Sequence, residues 1–250
     1  MPVVVRWLVL CFSFYALAGC SSLYRWESSH ASGVRIEEGG HSYYIVEEGD
    51  TLYSIAFQAG KDYRQIAAWN GIGWPYRIYP SQKLRLSPPP KSPPVNRRKP
   101  APRKSSRSDR SAGGSDTRRE ARIATSTSVR WQWPVYGPIL NNYSKKGNGR
   151  NGMSIGGRLG EPVRAAAAGR VVYSGSGLRG YGKLIIIKHN DVYLSAYGHN
   201  RKLLVKEGET LQAGQVIAEL GDTDADRPML HFEIRRDGEP VDPRRLLPKR

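Results

Sequence analysis

"LRGYGKLIIIKHNDVYLSAYGHN", residues 178–200, decides the class of fold. Two short apolar runs, "KLIIIKH" and "VYLSAYGH", stand on either side of an Asn-Asp break, and glycines precede the first. The same texture continues in both directions, through "AAAAGRVVYSG", "QVIAEL" and "LHFEIRR". Short runs parted by turn residues, with no sustained 3.6-residue period, predict a mainly-β domain over 131–250. His189, at the end of the first run, is expected to be a surface histidine at a strand end. A later stretch, "RPMLHFEI" (227–234), reads as a strand in which Met229 and His231 face one way while Leu230 and Phe232 face the other.

Residues 41–86 have a different pattern. "YYIV" is a β run that Gly49 stops, and Asp50 or Thr51 can cap a helix whose apolar face is Leu52, Ile55 and Ala56. "KDYRQIAAWN" gives a second helix, capped by Asp62 and ended at Asn70-Gly71. "QKLRL" closes as a strand. The predicted order is β-α-α-β.

The remaining segments are tethers and a leader. "MPVVVRWLVLCFSFYALAGC" carries one charge, Arg6, then an apolar run and Leu17-Ala18-Gly19-Cys20. This is a signal peptide over 1–19, with Cys20 as the lipidated first residue of the mature chain. Ser21, rather than Asp, matches lipoproteins sent on to the outer membrane, facing the periplasm. Residues 20–40 read as a polar tether. Residues 87–130 are rich in Pro, Ser, Arg and Lys and poor in large apolar residues, so a disordered linker is expected, spanning roughly 35–40 Å as coil.

Charge sharpens the partition. The 250-residue chain carries 39 Lys and Arg against 22 Asp and Glu, a net +17. The linker holds twelve of the basic and three of the acidic residues, whereas 20–86 balances at seven of each. In an exported lipoprotein, that basic excess points to anionic wall polymer or lipid and not to nucleic acid. Two cysteines, Cys11 and Cys20, exclude a disulfide framework, and five histidines leave little with which to build a metal site.

"YIVEEGDTLYSIA", "IAAWNGI" and "IYPSQKLRL" together resemble the LysM domain across its whole length. The resemblance implies binding to N-acetylglucosamine-containing glycan, here peptidoglycan. The expected groove lies between Asp50, Thr51 and Leu52 on one loop and Asn70 to Ile72 on another. Asp50 and Thr51 serve equally well as plain helix caps. Trp74 and Tyr76 are candidate stacking surfaces, or core packing.

"GEPVRAAAAGRVVYSG", the 178–200 stretch, "VKEGETLQAGQVIAELG" and "LHFEIRRDGEPVDPRRLL" resemble the lysostaphin/LytM-type metallopeptidase domain. In intact members of that family a His-x-x-x-Asp motif and the last His of His-x-His hold zinc. The first His of that pair and a His on an adjacent strand handle the activated water. Here the first motif falls on "RNGMS", giving Arg150 and Ser154, and the second on "MLH", giving Met229 and His231; the adjacent-strand histidine is kept as His199. A guanidinium offers no lone pair, a neutral hydroxyl is a poor zinc ligand, and a thioether prefers softer metals. The expectation is therefore a non-catalytic domain with no metal and no cofactor. Arg150, Ser154, His199, Met229 and His231 would then line a groove that binds a partner.

The layout of lipidated cysteine, LysM, basic linker and degenerate LytM-like domain resembles the NlpD-like lipoproteins, a family of murein hydrolase activators. That resemblance implies a periplasmic N-acetylmuramoyl-L-alanine amidase as partner, in septal wall splitting and cell separation. The alternatives are a zinc endopeptidase with an altered site and a passive link between outer membrane and peptidoglycan.

Overall fold

The structure is a computed structural model that describes residues 35–90, 128–144 and 151–250. The expected signal peptide, Cys20, most of the expected linker and Arg150 lie outside the described residues.

The N-terminal unit is a three-stranded antiparallel sheet carrying two helices: β1 (Arg35–Glu38), β2 (His41–Ile45), α1 (Leu52–Ala59), α2 (Tyr63–Asn70) and β3 (Lys83–Arg85), in sheet order β1-β2-β3. Each helix is bounded by its own sequence. Thr51 caps α1 by accepting from Ser54 N, and the Ser54 hydroxyl accepts from Thr51 N in return, so two orphan amides are satisfied at once. Asp62 caps α2 through Arg64 N, and Gly60 and Gly71 end the helices in the left-handed conformation. Tyr44, Val46, Leu52, Ile55, Ile66 and Leu84 fill the core.

Strand β1 falls within the expected tether. Its polar "RIEE" gives no apolar alternation, but Gly39 and Gly40 both take positive φ, at 58° and 75°. That is the two-residue turn that matches strand twist, and it sets Arg35 against Tyr44 and Glu38 against His41.

The C-terminal unit is built on one large antiparallel sheet. Its strands are β4 (Ile139–Asn141), β5 (Met153–Gly156), β7 (Gly169–Gly175), β8 (Lys183–Lys188), β9 (Tyr193–Asn200), β11 (Thr210–Leu211), β13 (Met229–Arg236) and β14 (Glu239–Val241). They run in the order β11-β7-β8-β9-β13-β5-β4, and β14 continues the β5 side of β13. A small sheet of β6 (Pro162–Arg164), β10 (Lys202–Leu203) and β12 (Val216–Glu219) stacks on one face. Between the two sheets lie Met153, Ile155, Ile185, Ile187, Tyr197, Phe232 and Ile234, packed on Val163, Val205, Ile217 and Leu220.

The other face of the large sheet is also apolar, with Tyr173, Leu184, Ile186, Leu194 and Ala196. An antiparallel sheet with one solvated face alternates polar and apolar, whereas the run Leu184–Ile187 does not, so something must cover the second face. The N-terminal unit does. Phe57 of α1 is 2% exposed and completes this second cluster, its ring 5.4 Å from that of Tyr181. The guanidinium of Arg235 lies 3.4 Å from the centroid of the Phe57 ring and donates to Phe57 O at 2.5 Å. Arg64 bonds Asp237 at 2.7 Å. The β13–β14 turn, Asp237-Gly238, has positive φ at both residues and approaches so closely that a Cβ on Gly238 would stand 2.5 Å from Asp62 N.

Candidate functional site

The large sheet brings the degenerate positions together. In the antiparallel register His231 stands opposite Ser154 on β5 and Gly198 on β9, so Ser154 shares its face. Met229, two residues along β13 and opposite Gly156, lies on the same face. His199 has a left-handed backbone, φ 64°, which turns its ring inward to a centroid distance of 5.8 Å from His231. His199 Nδ1 donates to Thr223 O at 2.7 Å, fixing its tautomer. His199, His231 and Ser154 are buried, while Met229 is half-buried.

Along β13 from His231 runs a row of charges that sequence reasoning missed. His231 Nε2 lies 3.0 Å from Glu233 Oε1, and the Tyr181 hydroxyl donates to the same oxygen at 2.9 Å. Arg235 pairs with the other oxygen, Glu233 Oε2, at 2.9 Å. Glu233 is 0% exposed. Burial alone would raise its pKa, but Arg235 and His231 outweigh burial and hold the carboxyl below the usual value. Burial, and then the charge of Glu233, push the Tyr181 phenol up, so it remains a donor. Gly152 leaves room for this row, since a Cβ there would stand 2.8 Å from His231 Cε1.

A zinc ion does not fit this donor set. Among the described residues no three His, Cys, Asp or Glu side chains converge as a metal site. On the face that carries His231, Ser154 offers a neutral hydroxyl and Met229 a thioether, both poor donors for zinc.

His189 is not the expected surface residue. It is 3% exposed, its Nδ1 is 2.8 Å from Ala168 O, and its Nε2 is 2.7 Å from Ser195 Oγ. Burial lowers its pKa to about 4, partly opposed by the Ala168 hydrogen bond. It belongs to the fold and not to the groove.

A second site lies where the two units meet. A cleft of about 770 Å³ is lined by the α1-leading loop, Asp50 to Tyr53, and by the segment Trp74 to Tyr79. Asp50, Thr51 and Leu52 lie on one wall of it, and Asp50 also accepts from Tyr44 Oη and Glu47 N. Asn70 and Ile72 are not among the lining residues. Asn70 is held by Ile66 O and by both backbone groups of Arg85, clamping α2 to β3. Trp74 is 76% exposed, and Tyr76, at φ 62°, packs edge-on to Tyr53 and Tyr63.

A capped two-helix module with an aromatic cleft, joined to a two-sheet, mainly-β domain, defines the class: the LysM domain model matches residues 44–87 and Peptidase family M23 matches residues 148–243. The chain is 40% identical to "Lipoprotein NlpD/LppB homolog" of Pseudomonas aeruginosa over 98% of its own length and 95% of that protein's. It is 40% identical to "Uncharacterized lipoprotein YgeR" of Escherichia coli, covering 93% of this chain and 88% of the other. "Murein hydrolase activator NlpD" of Escherichia coli is 35% identical, over 84% of this chain and 68% of that one. The chain belongs to the NlpD/LppB lipoprotein family.

Proposed function

We propose that this protein is a non-catalytic activator of a periplasmic N-acetylmuramoyl-L-alanine amidase. It would be anchored through Cys20 to the outer membrane and held on peptidoglycan by its LysM domain, acting at septal wall splitting. One observation carries the reading: an intact M23 scaffold whose site offers Ser154 and Met229 where zinc chemistry needs imidazole and carboxylate, beside a His231 tied to Glu233. A relative named as a murein hydrolase activator supports it. Arg150 and the half-buried Met229 would touch the amidase, while Ser154, His199 and His231 are buried. Activation requires that the groove bind the active conformation of the amidase better than the inactive one.

The test is release of dye from labelled peptidoglycan by the mature full-length protein, with and without a purified amidase. The expected result is no release alone and accelerated release with the amidase, reduced by Met229→Glu. Chelator-sensitive release by the protein alone would establish an endopeptidase instead. Absence of both effects would leave a passive anchor.

A further inference from the structure

The cleft of about 770 Å³ has two walls, and they come from different domains. One is the LysM loop pair. The other consists of Arg170, Val171 and Val172 on β7, Lys188 to Asp191 in the β8–β9 turn, and Glu207 to Thr210 leading into β11. The volume is that of a site for a molecule of several rings, within the range of about 300–1,000 Å³ usual for ligand pockets.

The lining specifies the kind of occupant. Trp74 and Tyr79 present broad exposed ring faces, and Tyr53 and Tyr76 stand behind them. Such faces pack on the C–H faces of sugars and on acetamide methyls while leaving ring edges to hydroxyl groups. The charged residues balance: Arg77, Arg170 and Lys188 against Asp50, Asp191 and Glu207, with Lys188 and Asp191 paired at 2.7 Å. In a chain of net charge +17, an anion-binding cleft would show a surplus of base, and this one shows none. The second wall is an open sheet edge. Strand β11 ends the large sheet, and its Thr210 stands opposite Arg170 in register, both exposed beside the cleft.

Given the reading of the LysM domain as a glycan binder, we infer that its ligand is clamped between the two domains. A neutral, N-acetylated oligosaccharide stacks on the aromatic wall and hydrogen-bonds to Arg170 and Thr210 of the M23 domain. The M23 domain is then part of the glycan site as well as the bearer of the groove. Because the ligand contacts both walls, it binds the docked arrangement better than an undocked one and stabilises it.

The experiment is calorimetric titration of the mature full-length protein with the N-acetylglucosamine tetramer. Arg170→Ala removes a donor from the second wall, and Thr210→Trp fills the cleft from that side; Trp74→Ala is the reference on the LysM wall. Each second-wall variant is expected to weaken binding about tenfold, the loss of one hydrogen bond to a charged group or the equivalent exclusion, with circular dichroism and melting temperature unchanged. If both bind as tightly as the parent while Trp74→Ala loses the ligand, the site has one wall and the inference is overturned. If the parent protein itself takes up no tetramer, the glycan reading of the LysM domain fails and the clamp fails with it.

Discussion

Replacing Arg235 by Ala tests the buried charge row and the docking of the two domains together. Arg235 is 3% exposed, pairs with Glu233 at 2.9 Å, donates to Phe57 O at 2.5 Å and covers the Phe57 ring at 3.4 Å. Truncation leaves Glu233, 0% exposed, with His231 and Tyr181 as its remaining partners. Removing one member of a buried pair typically costs about 3–5 kcal/mol. The cation–π contact, about 1–2 kcal/mol, overlaps that figure and is not added to it. A loss of about 4 kcal/mol lowers the melting temperature of a chain this size by roughly 10 °C. Urea and thermal unfolding followed by circular dichroism measure it. Arg235→Met combined with Glu233→Gln removes both charges at similar volume and is expected to recover most of the loss. The pH dependence has a definite sign. The folded carboxyl of Glu233 is depressed, so its contribution is complete above the ordinary value of 4.5 and disappears as pH falls through the folded pKa. The gap between parent and Arg235→Ala therefore closes in acid. A single-variant loss below about 1 kcal/mol, or a double variant no more stable than the single, would refute the reasoning.

Three further outcomes are expected. His189, held neutral with a pKa of about 4 against an ordinary 6.5, leaves stability unaffected above pH 6.5 and lowers it between 6.5 and 4, by about 3 kcal/mol; His189→Gln should flatten that slope in pH-dependent unfolding, and an unchanged slope would count against it. Gly238→Val puts a branched side chain at φ 84° against Asp62 N and should undock the domains, read as faster amide hydrogen exchange in α1 and β8; parental exchange rates would contradict the close approach. Elemental analysis of the purified protein should find zinc well below one equivalent, rising towards one when Arg150→His, Ser154→Asp and Met229→His are combined; stoichiometric zinc in the parent would contradict the misfit of its donor set.

Much of this architecture was legible because periodicity and caps are local. Thr51, Asp62, Gly60 and Gly71 bound their helices by chemistry carried within a few residues. Ser154, Met229, His199 and His231 were singled out only through the resemblance to the lysostaphin/LytM-type domain, and the register of β13 with β5 and β9 places them near one another. What escaped depends on partners distant in sequence. Nothing local marks Glu233 and Arg235 as a buried pair, although with His231 they occupy alternate positions on a single face. His189 reads as a strand-end surface residue until Ala168 and Ser195 close around it. Strand β1 has no apolar signal, and its one clue was Gly39-Gly40. The unbroken run Leu184–Ile187 announced a covered second face without saying that Phe57 covers it.

The docking of Phe57 also bears on how the chain comes into being. Synthesis proceeds from the N-terminus, so α1 and α2 are complete long before the surface that receives them. The residues that fasten them, Arg235, Asp237 and Gly238, follow far later in the sequence, on the turn between β13 and β14 and the strand that leads into it. Without that docking, Tyr173, Leu184, Ile186 and Leu194 would form an apolar surface without its cover. Fastening is therefore a long-range event: Arg235 reaches Phe57 across 178 positions of sequence, so damage to the β13–β14 hairpin would uncover an apolar face that lies in a different part of the chain.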